Sequence, residues 1–423
     1  MADIIKNEII KGINLYYIPD TKYKTVSMSA FLHRKLSRDE ATSNALLSKL
    51  LKRGTVNCKD ITELNICADN LYGMIYDVNI SKKAYVQSIV SSVNFLSDSY
   101  VDDSITEKCT EFMLDMIYKA NVSDCSFDKD VFKVEKQNLK DDIEGLINDK
   151  RSYANFRCIE EMCKGEENSV FEFGYIEDLD KIDEKSICTH YKKIISESPL
   201  DIFVVGDTDI NILSEYIKEY FNEFDFDILP IEKSEITVDS SGDVKYVEDV
   251  MEVNQGKLAM GFRTGIDIDS PDYYALLLGN SIFGSGAHSR LFNTVREKMS
   301  LCYYASSMTD KFRALMLVSS GIEFENYEKA KNEIVKQMEN IKNGDFTDEE
   351  LEVSRNFIIN NYRSCKDSAY AMKDYYRGHC FCKNHDTIDE AIEKVKVLTK
   401  DDVVRALAGV QLDTVYFLKG KEA

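Results

Sequence analysis

The residues best suited to chemistry lie in GSGAHSRLFNTVREKMSLCYYASS, 284–307. A glycine-rich turn holding Gly284, Gly286, His288 and Ser289 leads into a helix with Leu291, Phe292 and Val295 on its apolar side. A strand is expected to start near Cys302, so Arg296 and Tyr303 stand seven residues apart across the helix end. A guanidinium beside a phenol offers donors on rigid supports, which suits holding a peptide carbonyl. The plainer reading is a solvated arginine and a packing tyrosine. His288 is open to two readings, an approach to a substrate or partner and a structural or solvent-facing role.

A second group, HCFCKNH, brings His379, Cys380, Cys382 and His385 together in sequence. Its spacing is not that of a C-x-x-C knuckle, and no second cluster completes a tetrahedral set. The stretch reads as the continuation of a helix, which would point these side chains in different directions. Gly279, Gly284 and Gly286 make no dinucleotide fingerprint, and neither a Walker motif nor a G-x-S-x-G elbow is present. His33 and His190 stand alone in the sequence.

These residues need elements to position them, and the elements repeat. KTVSMSAFLHR, from Lys24, alternates as a half-buried strand does, and GKLAMGFRTG, from Gly256, matches it. A polar loop and a helix follow each: NALLSKLLKRGT, 44–55, aligns with the helix through Ala275-Leu276-Leu277 that ends at Gly284-Ser285. The polar face of the first helix, Ser48, Lys49, Lys52 and Arg53, can neither bind a metal nor do acid–base work. FDKDVFKVEKQNLKDDI, from Phe127, parallels FTDEELEVSRNFIINNY, from Phe346, both with a polar cap and acidic first turn. DKRSYA pairs with CKDSAYA, and IFVVGDTDI with VYFLKG. Matches in one order define a tandem duplication.

The expected fold is therefore α+β, two homologous layered domains with a mostly antiparallel sheet packed by helices. The N-terminal domain spans 1–228 and the C-terminal domain 246–423, with 229–245, rich in proline, serine and glycine, as the linker. At 423 residues the chain exceeds one core, and 44% apolar with 30% charged residues describes a globular protein. The net charge of −21 opposes nucleic-acid binding. No apolar stretch is long enough to span a bilayer, and the N-terminus lacks the features of a signal peptide. With eleven cysteines lacking framework spacing, reduced thiols in a cytoplasm are expected.

The 284–307 segment resembles the insulinase-type (pitrilysin) metallopeptidases, which include mitochondrial processing peptidase. The shared SRLF…VREK…L.Y pattern falls on Ser289, Arg290, Leu291, Phe292, Val295, Arg296, Glu297, Lys298, Leu301 and Tyr303. The resemblance covers both halves and implies a clam-shell arrangement, with Arg296 and Tyr303 contacting substrate. It also implies a zinc motif, H-x-x-E-H before a KGT ending, on the first-half helix. Aligned on Gly54-Thr55, those three positions hold Ala45, Ser48 and Lys49, and none is an adequate ligand or base. The family's two downstream acids fall on Glu135 and Asp142. The expected metal in this chain is none.

Such chains resemble non-catalytic partners of two-subunit processing peptidases. ALLSKLLKRGT, NLYGMIYDV, INDKRSYA and LDTVYFLKG look closest to the bacterial inactive branch named for aminopentanol modification of elongation factor P. The expected function is a zinc-less subunit that binds peptide and completes the chamber of a zinc-bearing paralogue. The alternatives are a self-dimerising, non-proteolytic scaffold and an active hydrolase with atypical ligands.

Overall fold

The computed structural model describes residues 4–166, 169–232 and 242–421; much of the expected linker, 233–241, lies outside the described residues. Among the described residues, eleven strands form two sheets. The first is built from β1 (Ile5–Ile10), β2 (Ile13–Pro19), β3 (Thr25–Lys35), β4 (Ile75–Lys83), β5 (Val86–Leu96) and β6 (Leu200–Gly206). The second contains β7 (Lys245–Met251), β8 (Gly256–Arg263), β9 (Cys302–Asp310), β10 (Leu315–Ile322) and β11 (Gln411–Gly420).

Their orders are β1-β2-β6-β3-β5-β4 and β7-β11-β8-β10-β9. Setting β1 aside, the second order is the first with every strand advanced by five places in the chain. The senses agree as well: β2/β6 and β7/β11 are parallel, and all other pairs are antiparallel. Identical order and sense in two sheets is the structural form of the duplication seen in the sequence. The α+β expectation of two alike layered domains therefore holds, with one parallel pair in each otherwise antiparallel sheet.

The helices follow this correspondence in part. The first half carries α1 (Arg38–Leu51), α2 (Ile61–Asn70), α3 (Thr106–Tyr118), α4 (Lys129–Gly145) and α5 (Lys150–Met162). It continues through the short α6 (Ile176–Leu179), α7 (Glu184–Glu197) and α8 (Ile210–Phe221). The second half has α9 (Tyr273–Phe283), α10 (Tyr327–Lys342), α11 (Asp348–Cys365), α12 (Ala369–Arg377), α13 (Ile388–Lys396) and α14 (Lys400–Leu407).

The compact units are not simple halves. One comprises 1–144, 170–234 and 368–381; the other comprises 145–169, 235–367 and 382–423. The matched helices α5 and α12 are thus exchanged: α12 belongs to the unit of the first sheet, and α5 packs on β8 and β11 of the second. Each exchanged helix covers a sheet face that would otherwise meet water.

In the first unit, Met28, Ala30 and Leu32 of β3 alternate toward Leu46, Leu47 and Leu50 of α1 and Met113 of α3, all buried. Each such leucine contributes about 2 kcal/mol of burial. The opposite residues of β3, Ser29 and His33, are buried too, and Lys373 Nζ of α12 donates to Ser29 Oγ at 2.6 Å. In the second unit, Gly261 of β8 lies so close to α5 that a Cβ there would sit 2.5 Å from Met162 Sδ. A side chain at 261 would force the Met162 thioether aside.

Candidate functional site

Helix α1 starts behind Ser37 with Asp39 and Glu40 in its first turn, which suits the helix dipole. It ends because the chain turns back tightly. The Thr55 amide donates to Cys58 O at 2.6 Å, and a Cβ on Gly54 would lie 2.4 Å from Lys59 O. The glycine-threonine ending is therefore a steric requirement of the turn.

On this helix Ala45 is 1% exposed and Ser48 3% exposed. Ser48 Oγ donates to Ala45 O at 2.8 Å, so its proton is committed within the helix. Lys49 Nζ sits 2.6 Å from Asp142 Oδ2 of α4. One helical turn on, Arg53 Nε donates to Glu135 Oε1 at 2.5 Å, and Glu135 is buried. Asn138 Nδ2 donates to the other carboxylate oxygen at 3.1 Å.

The two acids that the resemblance places opposite the first helix do face it. What they meet there is an ammonium and a guanidinium carried by the protein itself. A divalent cation does not fit: position 45 offers no donor, the Ser48 hydroxyl is engaged, and Lys49 already neutralises Asp142. Among the described residues, no three His, Cys, Asp or Glu side chains converge to hold a metal ion.

Beside Ala45 the interior is filled by neutral amides. His190 Nε2, on α7, donates to Asn44 Oδ1 at 2.7 Å, and Asn44 Nδ2 donates to Gln87 Oε1 at 2.8 Å. Burial holds His190 down at about 4, so the ring is neutral at pH 7.

His33 also gains partners that the sequence does not reveal. Its Nδ1 lies 2.8 Å from Ser88 Oγ and its Nε2 3.1 Å from Asp201 Oδ2. Burial raises the Asp201 carboxyl, but hydrogen bonds from His33 and Asn14 outweigh it and hold the group below its ordinary value. The bonds are those of a Ser-His-Asp relay, yet Ser88 is fully buried and Arg377 Nη2 of α12 donates to it at 3.1 Å. No substrate reaches such a serine, so the trio anchors α12 on the sheet.

The glycine-rich turn lies in the second unit, beyond α9. Gly284 N closes the helix on Asn280 O at 2.8 Å, and its Cβ would collide with Ser307 Oγ at 2.4 Å. Gly286 takes φ +114°, a left-handed conformation that favours glycine. Ser289 is fully buried and donates to Gly286 O at 2.7 Å, fixing the turn from within. His288 packs on Phe357 at 4.9 Å with Nε2 3.1 Å from Ser281 Oγ, and burial lowers it.

The helix after the turn, Leu291–Lys298, is a π-helix, a rare form that recurs at functional sites. Leu291 and Val295 are buried, while Phe292 is only half-buried and carries the Arg296 guanidinium 4.6 Å above its ring. Arg296 Nε donates to Tyr303 O at 2.9 Å.

Tyr303 is the extra residue of a β-bulge in β9, where pairing to β10 slips from Tyr304↔Gly321 to Cys302↔Ile322. The bulge turns its side chain outward, 58% exposed, where the hydroxyl donates to Glu323. That hydrogen bond raises the phenol above its ordinary value, so it stays protonated. Arg296 and Tyr303 therefore meet through the tyrosine's main chain, beside an edge strand with one unpaired side.

The HCFCKNH stretch departs from the helical expectation. Helix α12 stops at Arg377, Gly378–Phe381 form a 3-10 turn, and an irregular segment leads to α13. His379 packs on Tyr375 and Tyr376 at 5.3 Å. Cys382 Sγ donates to Asn384 O at 3.1 Å, and His385 Nε2 lies 3.1 Å from Cys382 O. Gly378 itself keeps helical dihedrals, with its amide bonded back to Asp374 O; the chain tightens into the 3-10 turn from there.

The repeated sheet order and the ion-paired face between α1 and α4 define a duplicated α/β unit of metallopeptidase type. Comparison with known proteins agrees. The model described as the peptidase M16 inactive domain matches residues 181–357. A Bacillus subtilis (strain 168) protein called probable inactive metalloprotease YmfF is 33% identical over 413 residues, 97% of this chain and 96% of its own length. From the same organism, the uncharacterized zinc protease YmxG is 25% identical over 157 residues, 36% of this chain and 38% of its own. A crystal structure of a conserved protein from Enterococcus faecalis V583 superposes with a TM-score of 0.90 at 28% identity, covering 100% of both chains. The chain belongs to the M16, or insulinase-type, peptidase family, and it is an inactive metalloprotease-like member.

Proposed function

We propose that the chain is the non-catalytic subunit of a two-subunit M16 peptidase, pairing with a zinc-bearing relative and helping to hold its peptide substrate. The zinc belongs to the partner. The observation that carries this reading is a contrast within one chain. Lys49, at a position the resemblance gives to the zinc motif, is paired with Asp142, and Arg53, four residues on, is paired with Glu135. The glycine-rich turn, the π-helix and the Arg296–Tyr303 contact keep their built geometry. A chain with no use for peptide has no reason to hold an arginine against the outward bulge of an edge strand.

Peptide adds to the free side of β9, where main-chain hydrogen bonds tolerate many sequences. The outer nitrogens of Arg296 supply donors at one end of that edge, where the exposed Tyr303 hydroxyl, already donating to Glu323, offers its oxygen as an acceptor. A zinc-bearing relative is a reasonable partner, since Bacillus subtilis holds both an inactive and a zinc-protease relative of this chain. A cytoplasmic setting is part of this proposal, supported by the scattered cysteines, which lack framework spacing; among the described residues no helix is long and apolar enough to cross a membrane.

The test is reconstitution with a paralogue that has an intact H-x-x-E-H. Peptide turnover should need both chains, and Arg296→Ala with Tyr303→Phe should lower kcat/KM at least about tenfold, the loss of roughly two hydrogen bonds. Full turnover by the doubly substituted pair would reduce these residues to packing. A chain that purifies only as a self-dimer, inert toward every zinc-bearing paralogue, would favour the scaffold reading.

A further inference from the structure

Among the described residues, which include all eleven cysteines, Cys125 alone is exposed. It sits at the tip of a two-residue turn closed by Ser123 and Ser126, whose amides donate to each other's carbonyls at 3.1 and 2.9 Å. Asp124 and Cys125 both take left-handed φ, +49° and +59°. Such a turn wants Asn or Asp followed by glycine. Aspartate fills the first place, and a cysteine stands where glycine is expected.

That placement aims the thiol at α7. Cys125 Sγ lies 2.7 Å from Lys192 Nζ and 3.6 Å from Cys188 Sγ. Cys188 and Lys192 are one helical turn apart, so the same face of α7 presents a cation and a second thiol to one sulfur. The Lys192 hydrogen bond lowers the Cys125 thiol below its ordinary value, whereas burial pushes Cys188 up to about 11. One sulfur is accessible and anionic in tendency; the other is sheltered and protonated. Attacking and resolving thiols of a redox couple divide their roles in this way.

We propose that Cys125 and Cys188 form a thiol–disulfide couple in which a hydroperoxide oxidises Cys125 and Cys188 resolves the product. The Cys125 thiolate attacks the outer oxygen of the peroxide, the O–O bond breaks, and an alkoxide or hydroxide leaves. Cys125 becomes a sulfenic acid, having lost two electrons to the peroxide. Cys188 gives up its proton and attacks that sulfur; hydroxide leaves, takes up the proton as water, and the S–S bond forms. The sulfurs must close from 3.6 Å to about 2.05 Å, a movement an exposed turn can make. The disulfide ties the turn before α4, the helix of Glu135 and Asp142, to α7.

Cys58 and Cys67 are nearer, with sulfurs 2.7 Å apart, but burial pushes Cys58 up to about 12, and among the described residues no lysine is bonded to it. That pair serves as the internal comparison.

The experiment treats the purified full-length chain with stoichiometric hydrogen peroxide and maps peptides without reduction. A Cys125–Cys188 linkage is expected in the wild type, and Cys188→Ser should leave a dimedone-trappable sulfenic acid on Cys125. Iodoacetamide should modify Cys125 first at pH 7, and Lys192→Met should slow that reaction about threefold or more while changing it less at pH 9. Accessibility alone would give no such dependence on Lys192. The proposal is overturned if no Cys125–Cys188 peptide forms, or if Lys192→Met leaves the pH 7 rate unchanged.

Discussion

Removing one side of the ion pair between α1 and α4 should cost far more from the arginine end than from the glutamate end. The Glu135 side chain is 4% exposed and that of Arg53 35%. At an effective dielectric of 20, unit charges 4 Å apart attract by about 4 kcal/mol. Solvent around a guanidinium exposed by a third screens that to about 2 kcal/mol of coupling. Arg53→Leu strands a buried carboxylate with, among the described residues, only Asn138 left to donate, which should cost about 3 kcal/mol, the low end for a broken buried pair. Glu135→Leu frees Arg53 into solvent and should cost under about 1 kcal/mol, and the double substitution should return close to that smaller value. The neighbouring Lys49–Asp142 pair, 25% and 53% exposed, sets the scale of a surface interaction, so Lys49→Ala should cost about 0.5 kcal/mol. Urea unfolding of the wild type, the two single variants and the double closes the cycle. If Arg53→Leu and Glu135→Leu cost the same, or if Arg53→Leu costs under about 1 kcal/mol, the buried charge is not what ties α4 to α1.

Lys373 provides a pH signature. Burial, then Arg377, lowers it from 10.5 to about 8, so between those values the unfolded chain binds more protons than the folded one. Its contribution to stability therefore rises as pH climbs from 8 to 10.5, by about 3 kcal/mol at most, and Lys373→Met should remove that rise from melts at pH 7 and pH 10. Equal pH dependence in the two proteins would contradict it. Gly54→Ala should destabilise by about 2 kcal/mol, because its Cβ meets the Lys59 carbonyl oxygen; an unchanged Tm would show that the turn can yield. After dialysis the chain should hold no stoichiometric zinc, and one tightly bound zinc per chain by metal analysis would overturn the ion-pair reading of α1 and α4.

Much of this protein is legible along the chain because duplication copies pattern. The match of α1 to α9, of α4 to α11 and of β6 to β11 rests on periodicity and on turn residues, which are local properties. The absent zinc ligands are likewise local: Ala45, Ser48 and Lys49 have the wrong chemistry in any fold. Other features depend on which face meets which. The sequence marks α5 and α12 as equivalent and amphipathic, but an apolar stripe does not state which sheet it covers, and each packs on the sheet of the other half. His33 and His190 looked solitary because Asp201 and Asn44 lie 168 and 146 residues away in the chain.

The sequence by itself determined the repeated unit and the family, since residue identity and spacing suffice for these. Only the tertiary structure decided that Lys49 and Arg53 occupy Asp142 and Glu135, that Arg296 holds the backbone of Tyr303, and that Cys125 faces Cys188. Such pairings arise when distant segments pack, and side-chain charge and sulfur chemistry act over a few ångströms of space rather than along the chain.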